Sequence, residues 1–325
     1  MSNLDLMLAA HDKKLQRQEE RRRLFRIGGG FAVGAAAGAV LSACGSSAGD
    51  AVAQNPPAAD NDPNILNFAL NLEYLEAQFY SYAAFGQGLA NADLTGSGSQ
   101  GALTATGAAA IPAGGDPVVR AYAREIAQDE IAHVRFLRSA LSTAAVAMPA
   151  IDISVGPNSA FSKAARAAGL IGPTDTFNPY ANDENFLLGA YIFEDLGVTA
   201  YKGAAPLINS KVFLEAAAGI LAAEAYHSGL IRTVLYAKGV ATPSLRTSAD
   251  AISNARDSLD GASDLDQGIT GDATTSNIVP LDSNGIAFSR TTGQVLNIAY
   301  LTSAVATGGG FFPNGVNGTI RSSGG

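Results

Sequence analysis

Two short stretches, "DEIAH" at residues 129–133 and "AEAYH" at residues 223–227, decide how this chain folds. Each sets a glutamate three residues ahead of a histidine: Glu130 before His133, and Glu224 before His227. Residues three apart on an α-helix share a face, so each pair aims a carboxylate and an imidazole at one point. One such pair is an ordinary surface contact. Two of them, in a chain with only three histidines, call for a common cause.

A second repeat supplies it. "NILNFALNLEYLEAQFY" (64–80) aligns with "NFLLGAYIFEDLGVTAY" (185–201) at a constant shift of 121, which sets Glu73 on Glu194 and Tyr80 on Tyr201. The Glu-x-x-His pairs align at a shift of 94, Glu130 on Glu224 and His133 on His227. The chain therefore reads as two related helical hairpins, the loop of the first being the longer. Each hairpin offers a glutamate from one helix, then a glutamate and a histidine from the next.

That combination is the donor set of di-iron and di-manganese carboxylate bundles. Four carboxylates neutralise two divalent ions while bridging them, and oxygen with imidazole donors suits iron, manganese or zinc. Glu73 and Glu194 also lie in apolar helix faces, where an uncompensated carboxylate costs several kcal/mol. A metal pair supplies the missing charge. Glu73, Glu130, His133, Glu194, Glu224 and His227 are the expected ligands, with Glu73 and Glu194 terminating or bridging the ions, Glu130 and Glu224 bridging them, and each histidine capping one. A vestigial, empty site is the competing expectation.

The halves differ around these residues. Asp129 corresponds to Ala223, and either orients a metal-bound histidine or faces solvent. Glu76, one turn beyond Glu73, corresponds to Gly197 and is either an extra ligand or a polar rim residue. Tyr80 and Tyr201 either hydrogen-bond ligand carboxylates, pass electrons, or are core tyrosines with a satisfied hydroxyl.

Helix signals surround the motifs. Asp62-Pro63-Asn64 opens a helix that meets no breaker before Gly86, and Asp116 with Pro117 caps a second. A third starts near Asp183. The fourth runs from Lys211 and is expected to stop at Gly239. A short helix is expected within the connection 142–183, and two more in the tail. The expected fold is all-α: a ferritin-like four-helix bundle over 64–240, with a long B–C crossover and an appended C-terminal extension over 241–325 packing on it. The glycine-rich end at 308–325 either wraps the bundle or frays.

Composition narrows the function classes. Residues 1–43 hold seven of the 21 basic and four of the 29 acidic residues, which leaves 14 basic against 25 acidic beyond them, a net of −11. A phosphate-binding surface needs the opposite sign, so nucleic acid is not an expected partner. No phosphate-binding loop or Ser-His-Asp set competes with the metal reading. "RRRLFRIGGGFAVGAAAGAVLSAC" (21–44) has a basic head, a weakly apolar core and a small-residue end. It resembles a twin-arginine lipoprotein signal over 1–43. Cys44, the single cysteine, is then lipidated and tethers the chain to a membrane through a flexible linker, 44–63. Cleavage near "AVAQ" (51–54) would instead leave a soluble periplasmic protein.

"ILNFALNLEYLEAQFY", "DEIAHVRFL", "FEDLGVTAY" and "AEAYHSGLIR", with the tail "NIVPLDSNGIAFSRTTGQVLNIAY" and "GGGFFPNGVNG", resemble the desiccation-related, ferritin-like proteins of plants and bacteria. The likeness spans about residues 64–319. It implies a rubrerythrin/ferritin-like bundle and a link to desiccation or oxidative stress, and it supports the same six ligands. The expectation is an exported protein holding two iron or manganese ions that reacts with peroxide or dioxygen. Any electron donor is external, and a homodimer is compatible. The alternative is a non-enzymatic protective or structural protein of the envelope.

Overall fold

The computed structural model describes residues 61–324. The segment expected to be an export signal, Cys44 and the expected linker up to residue 60 lie outside the described residues. Helix α1 spans Asp62–Phe85, α2 Pro117–Leu141, α3 Ala160–Ala167, α4 Asp183–Ala204, α5 Lys211–Ala241, α6 Ser244–Asp260 and α7 Thr292–Tyr300.

Local chemistry sets most helix ends. Pro63 sits in the first turn of α1, where a missing N–H costs nothing, and Gly86 closes the helix at φ +70°. The Asp116 carboxylate accepts from the Val118 N–H at 2.9 Å to start α2. Asn182 does the same for α4, accepting from the Asn185 N–H at 2.8 Å. Thr291 and Gln294 form a reciprocal capping box on α7. One expected stop fails: α5 runs through Gly239 to Ala241. A Cβ at Gly239 would lie 2.4 Å from Arg246 Cγ, so that glycine admits a side chain of α6. Thr242, held out of helical geometry by the following Pro243, ends the helix.

Helices α1 and α2 form one hairpin and α4 and α5 the other, with α1 against α4 and α2 against α5. Helices α1 and α4 are apolar around most of their circumference and are buried around most of it. Helix α2 keeps a polar outer face, with Arg124, Glu125, Gln128 and Arg135 exposed. The outer sides of α1 and α4 are covered by the crossover and the tail. Phe161 of α3 packs tilted against Phe79 with ring centroids 5.2 Å apart, and Phe311 reaches Phe193 at 4.9 Å. Phe311, Phe312 and Val316 are buried, so the glycine-rich end wraps the bundle as core. The first loop and the crossover are stitched by a two-stranded parallel pair, β1 (Leu103–Thr104) with β2 (Ile151–Asp152).

Candidate metal centre

All six expected ligands meet midway between the four long helices. Glu73 comes from α1, Glu130 and His133 from α2, Glu194 from α4, and Glu224 and His227 from α5. Two donor groups form: Glu73, Glu130, His133 and Glu224; and Glu130, Glu194 and His227, with the donor atoms of each group within 4.8 Å of one another. Glu130 belongs to both, one oxygen facing each histidine. His133 Nδ1 lies 3.4 Å from its Oε2, and His227 Nδ1 lies 3.2 Å from its Oε1. Glu224 belongs to the first group alone, 3.8 Å from His133 Nδ1.

The tyrosines bind crosswise. Tyr80 donates to Glu194 Oε1 and Tyr201 to Glu73 Oε1, each reaching the glutamate of the opposite hairpin. Each carboxylate is thereby pinned by one oxygen and presents the other to the centre, Glu73 Oε2 at 3.2 Å from His133 and Glu194 Oε2 at 3.5 Å from His227. Asp129 also reaches across: its Oδ2 lies 3.2 Å from His227 Nε2, away from the histidine of its own helix. That contact turns His227 Nδ1 inward.

Burial and charge oppose each other here. Burial pushes Glu73 up to about 7, with the His133 charge pulling down and Glu130 pushing up. Burial likewise raises Glu194 and Glu224. Burial acts the same way on Glu130, but the two histidines outweigh it and hold that carboxyl below the usual range. Burial lowers His133, yet Glu73 and Glu130 more than offset it and carry the imidazole to about 12. His227 is raised against burial by Glu194, Asp129 and Glu130. The two raised histidines thus set positive charge against these carboxyls.

They leave the polar atoms poorly satisfied. Glu130 Oε1, Glu194 Oε2, both oxygens of Glu224 and His227 Nδ1 are buried without a hydrogen-bond partner. Folded proteins leave few such atoms, and these five belong to four residues of the two donor groups. Carboxylate and imidazole donors at this spacing fit divalent transition-metal ions, which replace the imidazolium protons with positive charge at the same points.

Glu76 lies outside both donor groups. It is buried beside a recess of about 10 Å³ shared with Gly197 and with Ile298, Ala299 and Phe311 of the tail. Burial, reinforced by Glu130, Glu194 and Glu73, raises its carboxyl well above the ordinary range. Gly197 serves a different purpose, since a Cβ there would lie 2.2 Å from Glu224 Oε2. The glycine opposite Glu76 is therefore the space into which Glu224 folds.

The sequence reading missed an outer layer. Arg138 donates to the Tyr74 hydroxyl at 2.6 Å, and Arg232 donates to Asp195 Oδ2 at 2.6 Å. Arg138 and Arg232 obey the shift of 94, and Tyr74 and Asp195 the shift of 121, so the repeat itself marks them.

Comparison with known proteins agrees with this architecture. A model of the ferritin-like domain matches residues 61–237. The chain is similar to the ferritin-like catalase Nec2 of Nesocodon mauritianus, 29% identical over 80% of this chain and 84% of the relative. It is also similar to the desiccation-related protein PCC13-62 of Craterostigma plantagineum, 31% identical over 79% of this chain and 83% of the relative. No solved structure matches it. With four helices wired as two hairpins and carboxylate–histidine clusters between them, the chain belongs to the ferritin-like domain family, alongside the desiccation-related proteins.

Proposed function

We propose that this ferritin-like stress protein holds two redox-active divalent ions, iron or manganese, and uses them to consume hydrogen peroxide. The observation that carries the metal reading is the set of five buried oxygen and nitrogen atoms without hydrogen bonds, on side chains that meet between the helices. Glu73, Glu130, His133 and Glu224 would hold one ion, and Glu130, Glu194 and His227 the other. Such a pair supplies reversible electron exchange with peroxide. Likeness to a ferritin-like catalase favours disproportionation, in which two peroxides yield two waters and dioxygen, over reaction with dioxygen alone. Disproportionation needs no electron donor, in keeping with a chain whose single cysteine leaves no thiolate cluster for a second redox centre.

The chain's own residues set the conditions. Tyr80 and Tyr201 fix which carboxylate oxygens face the centre. Asp129 fixes the His227 ring. Glu76, its carboxyl raised by burial and by the neighbouring carboxylates, lies beside a recess of one-water size, where proton transfer to and from peroxide oxygen needs a local acid. His133, 13% exposed, marks where the centre comes nearest to solvent.

The test is metal analysis of the native protein together with peroxide consumption by wild type and Glu130→Ala/His133→Ala. Two ions per chain and turnover at least 100-fold lower in the double variant are expected (order of magnitude from loss of ligating residues). Metal-free wild type, or unchanged turnover in the variant, would sink the reading. Likeness to a desiccation-related protein favours a second reading, a non-enzymatic protectant whose metals brace the helices. Metal without turnover selects it. The signal-like segment and Cys44 further support export and lipid tethering. Cys44→Ser should then move the protein out of the membrane fraction; if it stays, the tether is elsewhere.

A further inference from the structure

Behind the metal centre, on the far side of α4 and α5, lies a second charged cluster that the proposed chemistry does not use. Its hub is Asp195, the chain neighbour of Glu194. Asp195 Oδ1 accepts from the Ser228 hydroxyl at 2.6 Å, and Ser228 is the chain neighbour of His227. Asp195 Oδ2 accepts from Arg232 at 2.6 Å and from Arg256 at 2.8 Å. The hydrogen bond from Ser228 thus ties α4 to α5 at the level of the Glu194–His227 half of the centre.

The rest of the cluster belongs to the C-terminal extension. Arg256 Nε donates to Asp266 at 2.7 Å, and Arg290 bonds Asp266 at 3.0 Å and Asp260 at 2.5 Å. Arg232 also donates to the backbone oxygens of Gln267, Gly268, Asn277 and Ile278. Three arginines and three aspartates balance, all buried. Each arginine is bound on several nitrogens, so none can swing away without leaving a buried charge unpaired. The tail between α6 and α7 therefore holds Asp195 rigidly rather than resting loosely on the bundle.

The first hairpin lacks this arrangement. Tyr74, the residue after Glu73, is neutral, bonding the Val146 carbonyl at 3.2 Å and accepting from the partly exposed Arg138. The two halves of the centre thus have unequal backing.

We propose that Asp195 is the positioning residue of the Glu194–His227 half. Through Arg232 and Arg256, the C-terminal extension then governs how tightly that half holds its ion. This rests on the two-ion reading above. Asp195 touches no donor atom; it acts by fixing the peptide that bears Glu194 and, through Ser228, the turn that bears His227. Groups that orient metal ligands from behind shift metal affinity by about 10- to 100-fold.

The test is titration of the metal-free full chain with Mn²⁺ against a competing chelator, reading the two binding steps separately. Asp195→Asn and Arg256→Gln should weaken one step by about 10-fold or more and leave the other within about 2-fold. Ser228→Ala, which removes one hydrogen bond and no charge, should weaken the same step less, and it serves if the charge variants fail to fold. A merely structural role would lower thermal stability and leave the ratio of the two steps unchanged. Equal weakening of both steps, or none in a folded variant, overturns the proposal. A wild type that binds no Mn²⁺ overturns the two-ion reading together with it, whereas two intact steps in every variant overturn this inference alone.

Discussion

The two hairpins begin as near copies and end in different roles. In both, one helix gives a glutamate and a tyrosine, and the next gives Glu-x-x-His and, five residues after the histidine, an arginine. The tyrosines keep this symmetry, each crossing to the opposite glutamate, whereas Glu130 joins both donor groups and Glu224 only one. One step outward the symmetry is gone. Glu76 faces Gly197, Asp129 reaches His227 while Ala223 has no carboxylate to return the contact, and neutral Tyr74 stands where Asp195 anchors the tail. The difference teaches that the repeat brings the six donor side chains together, whereas their surroundings make the two halves unequal.

The sharpest way to break the comparison is at positions 76 and 197. Gly197→Ala adds only a methyl group and improves helix propensity by about 1 kcal/mol, yet it meets the Glu224 carboxylate at 2.2 Å. The tip of Glu224 has to move, so metal content should fall by about 10-fold or more while the fold stays intact, checked by elemental analysis and circular dichroism. Glu76→Gln, isosteric and outside both donor groups, should leave metal content within about 2-fold of wild type. Equal losses at the two positions would mean that Glu76 is a ligand.

Acidity probes the pair as a whole. Glu73 is raised from 4.5 to about 7 and His133 from 6.5 to about 12, so the metal-free native state binds these protons more tightly than the unfolded chain does. Stability from such groups is complete below their unfolded values and is lost as pH rises toward their folded ones. The Glu130 shift acts below its ordinary value of 4.5 and so drops out of the range that follows. Between about pH 5 and 8 the melting temperature of the metal-free protein should therefore fall, and the gain on adding Mn²⁺ should grow, because the ions compete with the same protons. A gain that shrinks with rising pH would contradict this assignment.

The smallest expected effect concerns the crossed tyrosines. Tyr201→Phe and Tyr80→Phe each remove one hydrogen bond to a buried carboxylate, worth about 1.5–3 kcal/mol. Tyr201→Phe should release Glu73 and weaken the His133 half, and Tyr80→Phe the His227 half. Two-step metal titration distinguishes them; the same step weakened by both variants would show that the crossing does not matter.

Much of this was legible in the chain itself. Hydrophobic periodicity, Asp62-Pro63 and Asp116-Pro117 marked long helices because caps and apolar faces are local properties. The two repeats marked Glu73, Glu130, His133, Glu194, Glu224 and His227 as one set, because helical spacing converts i,i+3 into a shared face. Gly239 misled because a helical glycine can serve as well for a close approach, here by Arg246, as for a stop. The buried tail misled less: its phenylalanines were visible, but not their destination against Phe161 and Phe193.

By itself, then, the sequence determined the four helices, their pairing into two hairpins and which six side chains meet between them. Tertiary structure alone decided which donor faces which. Glu130 turns one oxygen to each histidine, each tyrosine crosses to the far glutamate, and Asp129 serves His227 of the other hairpin. The reason is physical: spacing along a helix fixes a face, but the rotation and separation of packed helices fix a distance. Those depend on everything that surrounds them, down to the absent side chain of Gly197 and the arginines that hold Asp195.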